Sequence, residues 1–192
     1  RVIDDLSTGS LDNLAVAAGN ARLEIQPCKV SECPNLRAWV AESDSIYHLA
    51  AAVGVELVVR SPIRTISTNL IETEVILEAA SQRGTPILLT STSEVYGKSP
   101  RAAFAEDDDL LIGPPSLARW SYACSKLMDE FLAMAYARER ALPIVIARLF
   151  NTVGPRQTGR YGMVLPRFIE AAQAGQPLKV YGDGQQTRCF CY

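Results

Sequence analysis

The sequence predicts an α/β fold, a parallel sheet doubly wound by helices in the Rossmann manner, and three observations carry that expectation. Short, near-continuous apolar runs occur at 45–50, 86–91 and 144–150. Such runs are what strands need when both faces of a parallel sheet are covered. Between them lie two longer segments, 65–83 and 122–140, with the apolar spacing of helices, and strict alternation of the two patterns supplies the crossovers that parallel strands require.

Each element has a local reason. The run 45–50 ends in small residues, and the helix 65–83 carries Ile66, Leu70, Val75 and Leu77 ahead of Gly84, a residue suited to the left-handed turn that ends a helix. The run 86–91 follows directly. The helix 122–140 carries Leu127, Phe131 and Met134 before Pro143, which cannot continue it and leads into the third run. No internal repeat or low-complexity segment interrupts the pattern.

Composition bounds the function. A length of 192 residues with 48% apolar and 21% charged residues suits one ordinary globular domain with a sizeable core. The net charge of -2 provides no electrostatic footprint for nucleic acid or an anionic membrane, and no apolar run has the length of a membrane span. Five cysteines, an odd number, fit a reducing compartment, so the cytoplasm is the expected location. Neither Cys28 with Cys33 nor Cys189 with Cys191 has zinc-knuckle spacing, and the acidic run 106–109 lacks the spaced ligands of a calcium loop. No metal site is expected.

Two segments point to redox chemistry. In Tyr122-Ala123-Cys124-Ser125-Lys126 the tyrosine and lysine are four residues apart and share a helix face. A fixed cation beside a phenol lowers its pKa from about 10, which makes Tyr122 a candidate proton acceptor. In Thr90-Ser91-Thr92-Ser93-Glu94-Val95-Tyr96-Gly97 a hydroxyl is available to hold a substrate alcohol against it.

With Arg148-Leu149-Phe150-Asn151-Thr152-Val153-Gly154-Pro155-Arg156 following in order, the chain resembles the extended short-chain dehydrogenase/reductase family, and within it the nucleotide-sugar epimerases, dehydratases and decarboxylases. The resemblance implies an NAD-dependent enzyme that oxidises C4 of a nucleotide sugar to a transient ketone, and a homodimer for the full-length protein. It implies that Thr92 binds the sugar 4-hydroxyl, Tyr122 is the general base, and Lys126 tunes Tyr122 and contacts the nicotinamide ribose. Asp4, with Asp5, Ser7 and Thr8 nearby, is implied to bind the adenosine ribose, an acidic group there favouring NAD over NADP. Val30, Leu49, Ala50, Ala51, Asn69, Thr90 and Phe150 complete the implied cofactor contacts. Ser93, Asn151, Val164, Tyr181 and Arg188 are implied to contact substrate, Arg188 and Asn151 at the diphosphate and Val164 and Tyr181 near the base.

Departures from the family pattern matter as well. Lys29 stands where many relatives have an aspartate that accepts from adenine, and the glycine-rich turn that holds the pyrophosphate is not among these residues. The expected organisation is therefore an internal portion of a longer enzyme, inactive as printed. It consists of a dinucleotide-binding domain (1–150) lacking its first strand and a smaller nucleotide-sugar-binding lobe that begins at 151–192. Ser93 argues against the dehydratases that use an aspartate there, whereas Glu94 keeps a carboxyl group beside the reacting ring. A UDP-sugar 4-epimerase is the first reading on breadth of resemblance. UDP-glucuronate decarboxylase or GDP-mannose-type 4,6-dehydratase is the alternative, and a non-catalytic dinucleotide-binding relative is a third.

Overall fold

The computed structural model describes residues 1–159 and 162–192, with the backbone alone at Val55. Its centre is a parallel sheet of β3 (Ile46–His48), β4 (Ile87–Thr92) and β5 (Ile144–Leu149), in that order. Ile46 pairs with Ile87 and Ile87 with Ile144, so the three strands begin in step. β1 (Val2–Ile3) and β2 (Ile25–Gln26) form a separate parallel pair, and β6 (Asn151–Thr152) pairs with β7 (Phe190–Cys191). The three expected strands are present, trimmed at their ends. Of the expected burial on both faces, β4 has one face buried at Ile87 and Leu89 and the other, at Leu88 and Thr90, only partly. On the outer strands Tyr47 and Val145, in register with Leu88 on that second face, are 68% and 62% exposed.

Two long helices cover the sheet. α3 (Pro62–Ser81) follows a short α2 (Val55–Arg60) and starts with proline in its first turn, where the missing N–H costs nothing. α4 (Trp120–Arg140) ends at Ala141 in the left-handed conformation, just ahead of Pro143. The expected periodic residues were only partly the inward ones. Leu77 and Ile76 are buried, but Ile66, Phe131 and Met134 point outward at 38%, 62% and 49% exposure. The face of α4 turned to the sheet is instead Tyr122, Ala123, Lys126, Asp129, Glu130 and Ala133, and the two alanines allow close approach.

The inward face of α3 changes character along its length. Thr65, Asn69, Glu72 and Thr73 are buried in its first half, Ile76, Leu77, Ala79 and Ala80 in its second. The apolar half joins Leu36 and Val40 of α1 (Leu36–Ala41), Leu89 and Leu142 in one core. The polar half faces the ends of the strands and prepares a site there. α5 (Val164–Gln173) lies apart, with Pro166 its only buried residue.

Gly97 closes the turn after β4 with φ of 64° and bridges to Leu111. A Cβ built there would overlap the Leu111 carbonyl. Gly97→Ala should therefore destabilise the protein beyond the ~1–2 kcal/mol of a left-handed residue alone, read as a lowered urea midpoint with unchanged slope.

Candidate active site

β4 delivers Thr92 to the carboxyl edge of the sheet, where its hydroxyl caps the turn 93–96 by accepting from Glu94 N at 3.3 Å. The first turn of α4 brings Tyr122 to the same place. Thr92 and Tyr122 are both 8% exposed, and their side chains are hydrogen-bonded. Glu94 joins them on the same turn, an exposed residue whose carboxyl is partly desolvated and so holds a proton to higher pH than usual, with Arg119 opposing that shift. Ser93 is half-buried at the start of the same turn.

The expected lowering of the Tyr122 pKa is not what the structure contains. Burial pushes the phenol up, and the charges of Glu94 and Asp129 push it further, against the Thr92 hydrogen bond. Lys126 has a partner of its own. It donates to Asp129 Oδ2 at 2.8 Å, and both residues are almost wholly buried, at 2% and 0% side-chain exposure. Removing one partner of such a pair typically costs about 3–5 kcal/mol. The i,i+3 acid after the lysine was readable as a helix-face pair, yet spacing alone does not say which neighbour a buried cation chooses.

A polar network ties this centre to the sheet. Asn69 Oδ1 accepts from Ala52 N at 2.7 Å, and its Nδ2 donates to Ser125 Oγ at 3.0 Å. Asn69 thus links the loop after β3 to the helix bearing Tyr122. Thr90 donates to the His48 carbonyl at 3.1 Å. His48 is buried beside Thr73 at 3.2 Å, and burial, then the Lys126 charge, lowers its pKa to about 4.

Glu130 and Arg148 form a second network that sequence reasoning did not single out. Arg148 Nη2 reaches Glu130 at 2.8 Å, Ser91 also bonds Glu130, and the guanidinium lies 4.8 Å over Tyr96. Tyr96 stacks on Phe104, which in turn meets Phe150 at 6.4 Å. This pins the turn that carries Glu94 to β5 and α4.

A cleft of about 590 Å³ opens between β1 and β3, within the usual size range of a small-molecule site. Asp4, Asp5, Thr8, Val30, Leu49, Ala50 and Ala51 all line it. Asp4 and Asp5 each accept one backbone N–H through Oδ1, from Leu6 at 2.7 Å and Ser7 at 2.9 Å, and Asp5 takes a Ser7 side-chain hydrogen bond as well, so Asp4 is the carboxylate better placed to receive a diol. Ser7 shapes this turn without lining the cleft. The carboxylates at one end and the small residues at the other fit the adenosine part of a dinucleotide. Lys29 is turned to Glu32 at 2.8 Å. Glu72, missed in the sequence, holds Ser31 N and Oγ at 2.7 and 2.8 Å and lines the same cleft.

The expected substrate residues on the far side do not converge. Asn151 donates to the Cys189 carbonyl at 2.9 Å, and Arg188 is exposed and turned back onto the Thr187 carbonyl at 2.7 Å. Val164 opens α5 at 44% exposure, and Tyr181 is 65% exposed. This region has few tertiary partners to fix such side chains. Among the described residues all five cysteines are free, no cluster suits a metal ion, and no helix is long and apolar enough to cross a membrane.

A parallel α/β sheet with Thr92 and Tyr122 together at its carboxyl edge, beside a cleft lined at one end by Asp4 and Asp5, has the layout of a dinucleotide-binding fold. The profile of the NAD dependent epimerase/dehydratase family matches residues 3–192, and the chain belongs to that family. It is 42% identical to the UDP-N-acetyl-alpha-D-glucosaminuronate decarboxylase of Bacillus cytotoxicus, over all of this chain and 59% of that protein. Its fold superposes on a UDP-N-acetylglucosamine 4-epimerase from Methanobrevibacter ruminantium M1 with TM-score 0.90 and 30% identity, covering 99% of this chain and 60% of the other. It superposes on a UDP-glucuronic acid 4-epimerase from Bacillus cereus, solved with UDP-glucuronic acid and NAD, with TM-score 0.86 and 31% identity, covering 100% and 60%. The chain thus spans about three-fifths of the length of these relatives.

Proposed function

We propose that this chain is the dinucleotide-binding and proton-transfer portion of an enzyme that oxidises C4 of a UDP-linked uronic acid and then releases the C6 carboxylate as carbon dioxide. The observation that carries this reading is Glu94, a carboxyl group beside Tyr122 whose partly desolvated surroundings hold its proton to raised pH. Hydride return to a ketone requires no second acid, whereas replacing a lost carboxylate by hydrogen does. Two of the similar proteins named above have uronic acids in their names, which supports the substrate class.

Bound NAD supplies the hydride acceptor for C4. Thr92 orients the 4-hydroxyl, and Tyr122 takes its proton, leaving a 4-keto sugar. The ketone accepts the electron pair of the breaking C5–C6 bond as carbon dioxide leaves, Glu94 then gives its proton to C5, and the hydride returns to C4 as Tyr122 gives its proton back to the 4-oxygen. Asp4 and Asp5 hold the adenosine ribose, and Asn69 steadies the loop after β3 against α4. Residues 151–192 are read as the start of the sugar-nucleotide lobe, where Asn151, Val164, Tyr181 and Arg188 take their contacts once that lobe is complete. We read the full-length enzyme as a homodimer, with the exposed Ile63, Ile66, Met128 and Phe131 of the two long helices available for burial.

The second reading, a UDP-sugar 4-epimerase, is favoured by the likeness to the two epimerase structures. Incubating the full-length protein and NAD separately with UDP-glucuronate, UDP-glucose and GDP-mannose, with products followed by NMR, separates the readings. A UDP-pentose from UDP-glucuronate is the expected result. Interconversion of UDP-glucose and UDP-galactose without carbon dioxide release establishes the epimerase instead.

Asp4 also sets cofactor choice. NAD should bind at least about tenfold more tightly than NADP, a difference of about 1.4 kcal/mol for an acid facing a phosphate. Calorimetry on the full-length protein reads this directly, and equal affinities would exclude the assigned role.

A further inference from the structure

The buried ion pair on α4 is a candidate control element for the proton acceptor. Lys126 and Asp129 meet at 2.8 Å with almost no solvent exposure. Thr73 interacts with the Asp129 carboxylate while bonded to His48, and Asp129 Oδ1 is left without a well-formed hydrogen bond. A buried carboxylate in that state binds a nearby cation strongly. The lysine that the four-residue spacing would place against Tyr122 is thereby engaged by a carboxylate three residues further along the same helix.

We propose that Asp129 is a positioning residue that retains the Lys126 ammonium away from Tyr122 and so keeps the phenol protonated until the ammonium is drawn to the reacting groups. This rests on Tyr122 being the proton acceptor. The charged and titratable groups around Tyr122 come from three elements. Glu94 lies on the turn after β4 with Arg119 opposite it, Asp129 and Lys126 lie on α4, and neutral His48 lies on β3. Of these, Asp129 is the one that both repels a phenolate and competes for the cation that would stabilise it. Replacing its charge by an amide of the same shape removes both effects in the same direction.

The test uses full-length enzyme and reads Tyr122 in two ways. The ultraviolet tyrosinate band of Tyr122, obtained as the difference from Tyr122→Phe, should appear at least about one pH unit lower in Asp129→Asn than in the unsubstituted protein, a tenfold shift in the proton equilibrium. The rising limb of kcat/KM against pH should move down by a similar amount. A role of Asp129 in packing alone leaves both positions unchanged, and an unchanged or higher titration overturns the proposal. A lowered tyrosinate titration with an unmoved rate limb upholds Asp129 as the group governing Tyr122 and instead rejects Tyr122 as the proton acceptor. Asp129→Leu, which fills the same space without a polar atom, is read by the same spectroscopic criterion if the amide variant does not fold.

Discussion

Tyr122→Phe in the full-length enzyme should lower kcat by about 10²–10⁴, the usual worth of a positioned general base, while NAD affinity stays almost unchanged. The phenol ring of Tyr122 packs with 8% exposure beside Thr92, so Phe preserves the shape of the site and removes only the oxygen. Because burial and two neighbouring carboxylates raise its pKa, the unsubstituted enzyme should gain kcat/KM as pH rises, the base form being the minority below that pKa. The variant should lose this limb. Steady-state rates across pH, with NAD binding measured separately by calorimetry, check both parts. Full turnover in the variant removes Tyr122 from the mechanism.

Glu94→Gln should lower formation of the UDP-pentose by a comparable factor of about 10²–10⁴ if Glu94 delivers the proton to C5. Gln keeps the size and hydrogen bonding of the side chain but has no proton to give. Its backbone N–H still donates to Thr92, as Glu94 N does at 3.3 Å, so the turn should persist and the 4-hydroxyl should still be held. Oxidation at C4 and loss of carbon dioxide then continue while protonation at C5 stalls, so a first turnover should release carbon dioxide without yielding the UDP-pentose by NMR. A small effect on turnover would instead favour the epimerase reading, in which hydride return needs no second acid.

How much of this was legible in the sequence follows from which interactions are local. The apolar run of β4 and the terminators Gly84 and Pro143 act within a few residues, so the central strand and both long helices were readable with only small changes at their ends. The direction of the helix faces was less so. Phe131 and Met134 have core-like spacing but point outward, because the inner side of α4 is taken by Lys126, Asp129 and Glu130. Those charges are buried only because Asp129, Arg148 and Ser91 answer them, and no periodicity rule sees a partner more than a turn or two away. Thr92, Glu94 and Tyr122 were found because their motifs are contiguous. The pairing of Lys126 with Asp129 was not foreseen, because which partner a buried cation takes is a matter of rotamer choice. Glu72 gave no signal beyond a charged residue in a helix, yet it fixes the loop that carries Val30.

The central claim is that C4 is oxidised and later reduced at the Thr92–Tyr122 centre, whatever happens to the ketone between those steps. It is tested most directly by giving the full-length enzyme UDP-glucuronate carrying deuterium at C4, in ordinary water. The account predicts that turnover slows relative to the unlabelled substrate and that deuterium is found again on C4 of the product, since the hydride leaves and returns without meeting solvent. Equal rates for the two substrates, together with a product whose C4 hydrogen has come from water, would contradict it.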